Sequence, residues 1–227
     1  MSMRATRVNR RTAGTGALVA ALIAGGLVLG TQAGGTGPPE RVPLLEEATG
    51  EPVASSKLHR GDDGIRTKVR THGRAGHPHT LWYVIFNAPQ RCSGGVCGQD
   101  DIFVDPDDHA AGFNGAQIAA TRASVVWAGD GAVADRRGRL KLKGALAVGE
   151  VPDGQGQVAI GRGEDGALVP LGVVTGLEDS HRAVIVVVLQ DHGTAHDDPE
   201  LLNRQLTSFE GACNPTCEDV QFAVHVP

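Results

Sequence analysis

Two runs of this 227-residue chain constrain its fold more than anything else. Residues 80–87 (TLWYVIFN) and 182–189 (RAVIVVVL) are short, apolar almost throughout, and rich in β-branched and aromatic side chains. Runs of that length suit strands, and a strand apolar on both alternating faces has to be covered on both. Other segments alternate instead. Ile65, Thr67, Val69 and Thr71 interleave with Arg66, Lys68, Arg70 and His72, and Leu140 and Leu142 with Arg139, Lys141 and Lys143. Val220, Phe222, Val224 and Val226 repeat the pattern near the end and predict an inward-facing row. Period two with polar alternates means one dry face and one wet face. Residues 53–59 are a weak first strand and 122–127 another strand, and Gly61-Asp62-Asp63-Gly64 and Gly129-Asp130-Gly131 mark turns. One helix is expected, with Asp197 or Asp198 as cap, Pro199 in the first turn, Leu202, Leu206 and Phe209 on one face, and Gly211 at the end. A short helical turn is expected within 110–119, and the Gly-punctuated stretch 145–180 yields no assignment. Many hairpins with one helix predict an all-β fold, an antiparallel Greek-key β-sandwich with one short C-terminal helix.

The N-terminal residues describe export rather than structure. Arg4, Arg7, Arg10 and Arg11 precede an uncharged run from Ala17 to Leu29, and Thr31-Gln32-Ala33 offers small residues for cleavage. That order is a secretory signal peptide over 1–33. Its apolar part falls short of the ~20 residues a spanning helix needs, so stable membrane insertion after cleavage is not expected. Residues 34–50 (GGTGPPERVPLLEEATG) read as a flexible linker in which Leu44 and Leu45 can dock on the domain, and 51–227 as one domain. The expected location is secreted, extracellular or attached to the cell envelope.

With the four leader arginines removed, 21 basic residues fall to 17 against 26 acidic ones, a formal charge of −9. A strongly acidic chain disfavours nucleic acid as partner. Cys92, Cys97, Cys213 and Cys217 all lie beyond the leader, and an even count in an exported chain implies disulfides. Local pairing, Cys92 with Cys97 and Cys213 with Cys217, is favoured because Ser93-Gly94-Gly95 and Asn214-Pro215 supply turns between the partners. Zinc would call for tighter CxxC-like spacing.

Three groups of residues carry chemistry. Asp100 and Asp101 follow Cys97 and continue into Asp105, Asp107 and Asp108, while Glu218 and Asp219 follow Cys217. Carboxylates on disulfide-pinned loops offer the oxygens that calcium takes, so calcium is the one cofactor considered. The candidate ligand set is Asp100, Asp101, Asp191, His192 and Glu218. The plainer reading is that these acids solvate their loops. His77, His79, His192 and His196 form two pairs that would make a transition-metal site if the fold joins them, and otherwise serve as hydrogen-bonding loop residues. Arg66, Lys68, Arg70 and His72, with Arg139, Lys141 and Lys143, become one cationic strip if their strands are neighbours. Such a strip suits an anionic envelope polymer or another protein, against the alternative of a merely solvated face. No Gly-x-Ser-x-Gly elbow, His-Glu-x-x-His or phosphate-binding Gly loop is present, so no catalytic residue is assigned.

Four stretches taken together carry a resemblance: His79 to Asn87 with Pro89; Cys92…Cys97-Gly98-Gln99-Asp100-Asp101; Leu189-Gln190-Asp191-His192-Gly193; and Cys213…Cys217-Glu218-Asp219-Val220-Gln221-Phe222. The pattern resembles a group of secreted bacterial proteins with no assigned activity. Its strand pattern is similar at the level of fold to CHRD-type (chordin-like) β-sandwich domains. The resemblance implies export and a β-sandwich and brings no catalytic residues with it. The expected role is a non-catalytic extracellular or envelope binding module. The alternatives are a secreted calcium- or transition-metal-binding protein and a secreted hydrolase.

Overall fold

The computed structural model describes residues 38–105, 113–150, 160–162, 168–170, 176–208 and 211–227. The expected leader, Asp107, Asp108 and Phe209 lie outside them. The strands are β1 (Glu40–Glu46), β2 (Pro52–Gly61), β3 (Gly64–His72), β4 (Pro78–Phe86), β5 (Ala123–Val133), β6 (Arg139–Ala147), β7 (Ile160–Arg162), β8 (Leu168–Pro170), β9 (Val184–Asp191) and β10 (Glu218–His225). Two α-helices, α1 (Gly115–Thr121) and α2 (Pro199–Thr207), join them. Pairing is antiparallel and links eight strands in the order β5-β4-β9-β10-β1-β2-β3-β6, while β7 and β8 pair separately.

Mostly antiparallel β-structure is as the alternation predicts, but the ladder is one sheet rather than the two stacked sheets of a Greek-key sandwich. The sheet curls until its end strands, β5 and β6, pack against each other, giving a nearly closed barrel. Register shifts at Leu44/Leu45, Thr80/Trp82 and Asp219/Gln221 add the local twist that curling needs. Gly144 of β6 completes the closure, because a Cβ there would collide with the Tyr83 hydroxyl and stand 2.8 Å from the Ala128 Cβ. Across the same seam the Lys143 N–H donates to Asp130 at 2.7 Å.

One face of each strand fills the interior. Leu44, Leu58, Val69, Leu81, Tyr83, Ile85, Leu142, Ile185, Val187 and Leu189 form its core, and the Tyr83 hydroxyl crosses it to reach Thr67 Oγ1 at 2.9 Å. Burial drives the Tyr83 phenol pKa well up. The outer wall is treated unequally. On β4 and β9 a second cluster of Phe86, Cys92, Cys97, Ile102, Ile118 and Val184 forms with residues of 88–105 and 113–121, and α2 lies across β4 and β5. This explains why residues 80–87 and 182–189 are apolar on both faces. Among the described residues nothing comparable covers the outer faces of β3 and β6, and their burial alternates along each strand.

Two expectations change. Residues 40–46, placed in the linker by composition, form β1 between β10 and β2, and Leu44 is fully buried. In β10 the inward row is Gln221, Ala223 and His225, while Phe222 and Val224 face outward. The register shift at Asp219/Gln221 accompanies this inversion, and the outer cluster gives Val224 an apolar surface to pack on.

Candidate functional site

The exposed half of the barrel carries the cations. Register aligns Arg41 with Lys57, Lys57 with Lys68, and Lys68 with Lys143, a row crossing β1, β2, β3 and β6. One step along, Arg70 faces Lys141, and beyond it His72 faces Arg139. Rows lie about 4.8 Å apart across strands and about 6.7 Å apart along them. Like charges directly opposite on adjacent strands repel, and their repulsion lowers the stability of the sheet. The Arg70 guanidinium first, then partial loss of water and Lys141, Lys57 and Lys143, hold the Lys68 ammonium below its usual range. Arg139 pairs with Asp135 at 2.7 Å and Arg66 with Asp63 at 3.4 Å. Among the described residues, Arg41, Lys57, Lys68, Arg70 and Lys141 form no ion pair. Two shallow depressions run over this face, one lined by Arg41, Ser55, Lys57, Lys68 and Arg70 and the other extending to His72 and Lys141.

The second group of polar residues lies where β4 begins and β9 ends, and alternation splits it into two sets. His79 faces Asp191 across the ladder on the inward side. His77 Nδ1 lies 2.9 Å from Asp191 Oδ1, which also accepts the Gly193 N–H at 2.7 Å. The His79 ring donates from Nδ1 to the His77 carbonyl at 3.0 Å, and its buried Nε2 has no hydrogen-bond partner, with Asp191 Oδ2 3.7 Å away. Burial outweighs the pull of that carboxylate and lowers the His79 pKa.

His192 belongs to the outward set, beneath α2. Its Nε2 lies 2.8 Å from Thr80 Oγ1, which also receives the Trp82 indole N–H at 2.8 Å, and its Nδ1 lies 3.3 Å from Cys217 Sγ. Burial first of all lowers its pKa to about 4. Gln205, the buried residue of α2, donates to the carbonyls of His192 and Thr194 and accepts the His196 N–H.

The five residues considered for calcium fall at opposite ends of the barrel. Asp191, His192 and Glu218 sit together, Glu218 facing Asp191 across the β9–β10 ladder. Asp100 and Asp101 belong to the segment after the other end of β4, where Phe86 pairs with Val184. Asp100 is exposed and Asp101 fully buried. Asp101 accepts the Ser93 and Gly98 N–H groups at 2.7 and 3.0 Å and the Gln117 amide at 2.8 Å, which organises the loop around Cys92 and Cys97.

Sequence reading missed a buried relay at that same end. Ser56 Oγ lies 2.9 Å from His225 Nε2, and His225 Nδ1 lies 3.2 Å from Glu40 Oε2. Arg60 donates to Glu40 at 2.6 Å and to the carbonyls of Ser180, Ala183 and His225. Burial alone would raise the Glu40 pKa, but hydrogen bonds from His225 and Arg60 overcome it and hold the carboxyl below the usual range. The connectivity is that of a serine–histidine–acid triad, yet Ser56 and His225 are both 0% exposed, so no substrate reaches the hydroxyl. Only inward alternation of Ser56 and Arg60 on β2 would have signalled it.

Both expected disulfides are present, Cys92–Cys97 and Cys213–Cys217. They fit an oxidising, non-cytoplasmic environment. Among the described residues no helix is long and apolar enough to cross a membrane. Compared with protein-family models, curated proteins and solved structures, the chain matches none.

Proposed function

We propose that this protein is an exported, non-catalytic binding module that holds an anionic polymer of the cell envelope or its surroundings on the outer face of β1, β2, β3 and β6. The observation that carries this reading is the register of Arg41, Lys57, Lys68 and Lys143, with Arg70 and Lys141 beside them. Six cations on so small an area lower stability in isolation, and a bound polyanion relieves that repulsion. Among the described residues, the face has no Phe, Tyr or Trp to stack a base or a sugar, which favours a ligand recognised by its charge. Export rests on the leader-like first 33 residues, and the disulfides agree with it.

The test is binding of long-chain polyphosphate and of polygalacturonate, with neutral dextran as control. Both polyanions should bind, and affinity should fall with salt at a log–log slope of about −3 to −5 if most of the six cations are engaged. The double charge reversal K68E/K141E should remove binding, whereas R136E/R137E, on the exposed turn before β6, should not. Equal binding of dextran, or unchanged binding by K68E/K141E, would discard the reading.

A further inference from the structure

The Cys213–Cys217 bridge rests against the fully buried imidazole of His192, and one ligand atom from each of His192, Cys213 and Cys217 lies within 4.8 Å of the other two. We propose that reductive cleavage of this bridge opens a site for a single thiophilic cation, held by both sulfurs and His192 Nδ1. Separations of this size suit donors arranged about one ion, for which sulfur and nitrogen bonds are about 2.0–2.3 Å.

The scaffold of the site does not depend on the bridge. Asn214 N–H donates to the His192 carbonyl at 2.9 Å, Thr194 N–H donates to the Asn214 carbonyl at 2.7 Å, and the Asn214 amide donates to Thr194 at 3.2 Å. From α2, Gln205 holds the 192–196 turn on which His192 sits. Gly193 lets them approach at φ 77°, where a Cβ would collide with the Asn214 carbonyl. The loop therefore keeps its place when the sulfurs part. Thr80 fixes the far nitrogen of the His192 ring, as outer-shell partners of metal-bound histidines do.

The donor set selects the ion. Two thiolates and an imidazole are soft, and Asp191 points to the opposite side of the sheet, so the site favours Cu(I) over hard cations. Opening it needs a two-electron reductant. A dithiol delivers two electrons and two protons and becomes a disulfide, whereas a phosphine takes the oxygen of one water and becomes a phosphine oxide while that water's two protons go to sulfur; either leaves Cys213 and Cys217 as thiols. Cation binding then releases both thiol protons. The two cysteines are half-buried and flank the exposed Pro215 and Thr216, so a reductant has access. The other bridge lacks these features. Its neighbour Asp101 already spends both oxygens on Ser93, Gly98 and Gln117, and no histidine belongs to that group.

The test is anaerobic titration of the full chain with Cu(I) against a competing chromogenic chelator, before and after reduction by a phosphine, repeated in C92A/C97A to leave one pair. The oxidised protein should not compete, and the reduced C92A/C97A protein should bind one equivalent. H192Q should lose more than about tenfold in affinity. X-ray absorption on the reduced, loaded protein should show two sulfurs and one nitrogen. No binding after reduction, equal affinity in H192Q, or a sulfur-only shell would overturn the proposal. If C92A/C97A is unfolded by circular dichroism, the absorption spectrum and the comparison of H192Q with D101N in the unmodified chain decide it.

Discussion

Glu47 is a carboxyl that the fold prefers protonated. Burial first, then the Asp219 charge, push its pKa up to about 8 from an ordinary 4.5. The folded state therefore binds a proton that the unfolded chain has lost, so this group's contribution is fully present below pH 4.5 and disappears as pH climbs through 8. E47Q should flatten that limb and stabilise the protein at pH 8.5 by on the order of 1 kcal/mol, a rise in Tm of about 2–4 °C by calorimetry. His192 acts with the opposite sign. Its pKa is lowered to about 4 from 6.5, so stability falls as pH drops through that window, where the unfolded chain takes up a proton and the folded one does not. H192Q should weaken the acid limb while leaving the basic limb untouched. Gln205 makes a third case, since its amide serves two carbonyls and one N–H of the 192–196 turn. Q205L should cost about 1–3 kcal/mol in urea unfolding, because those backbone groups are left unpaired.

At the scale of elements, α2 depends on a glycine in a different strand. Asp198 caps the helix through the Glu200 and Leu201 N–H groups and Pro199 opens it, as the local sequence predicts. Its seat on β5 is set by Gly131, where a Cβ would collide with the Leu206 carbonyl. G131A should lift α2 and expose Trp82, seen as a red shift of tryptophan fluorescence and a loss of stability of about 1–3 kcal/mol. Strands whose alternation is complete within a few residues, β3 and β6, were legible in the sequence, as were the doubly apolar β4 and β9. The short loops between cysteines disclosed both bridges. What stayed hidden depended on distant partners. Strand β1 has Pro43 and three glutamates in or beside it, and only the gap between β10 and β2 makes it a strand. The faces of β10 were reversed because Val224 finds apolar surface outside the barrel, which periodicity cannot reveal. The cationic strip could be read on β3 and β6 separately, while its extension through Lys57 and Arg41 required the register.

The whole molecule is a barrel with one clad side and one bare side. Among the described residues, α2 with 88–105 and 113–121 covers β4, β5 and β9, and the bare side keeps the cations of β1, β2, β3 and β6 in water. Acidic residues dominate the composition, so the bare side stands out as a local reversal of sign. Raising salt should therefore stabilise the unliganded protein by relieving repulsion across β2, β3 and β6, and K68E/K141E should show less of that gain in thermal unfolding. One further property follows from the seating of β1 between β2 and β10. The earliest and latest strands of the barrel are partners, so during vectorial synthesis β1 waits with one edge open until β10 has emerged. The ring therefore locks only when its last-made strand arrives to cover the first.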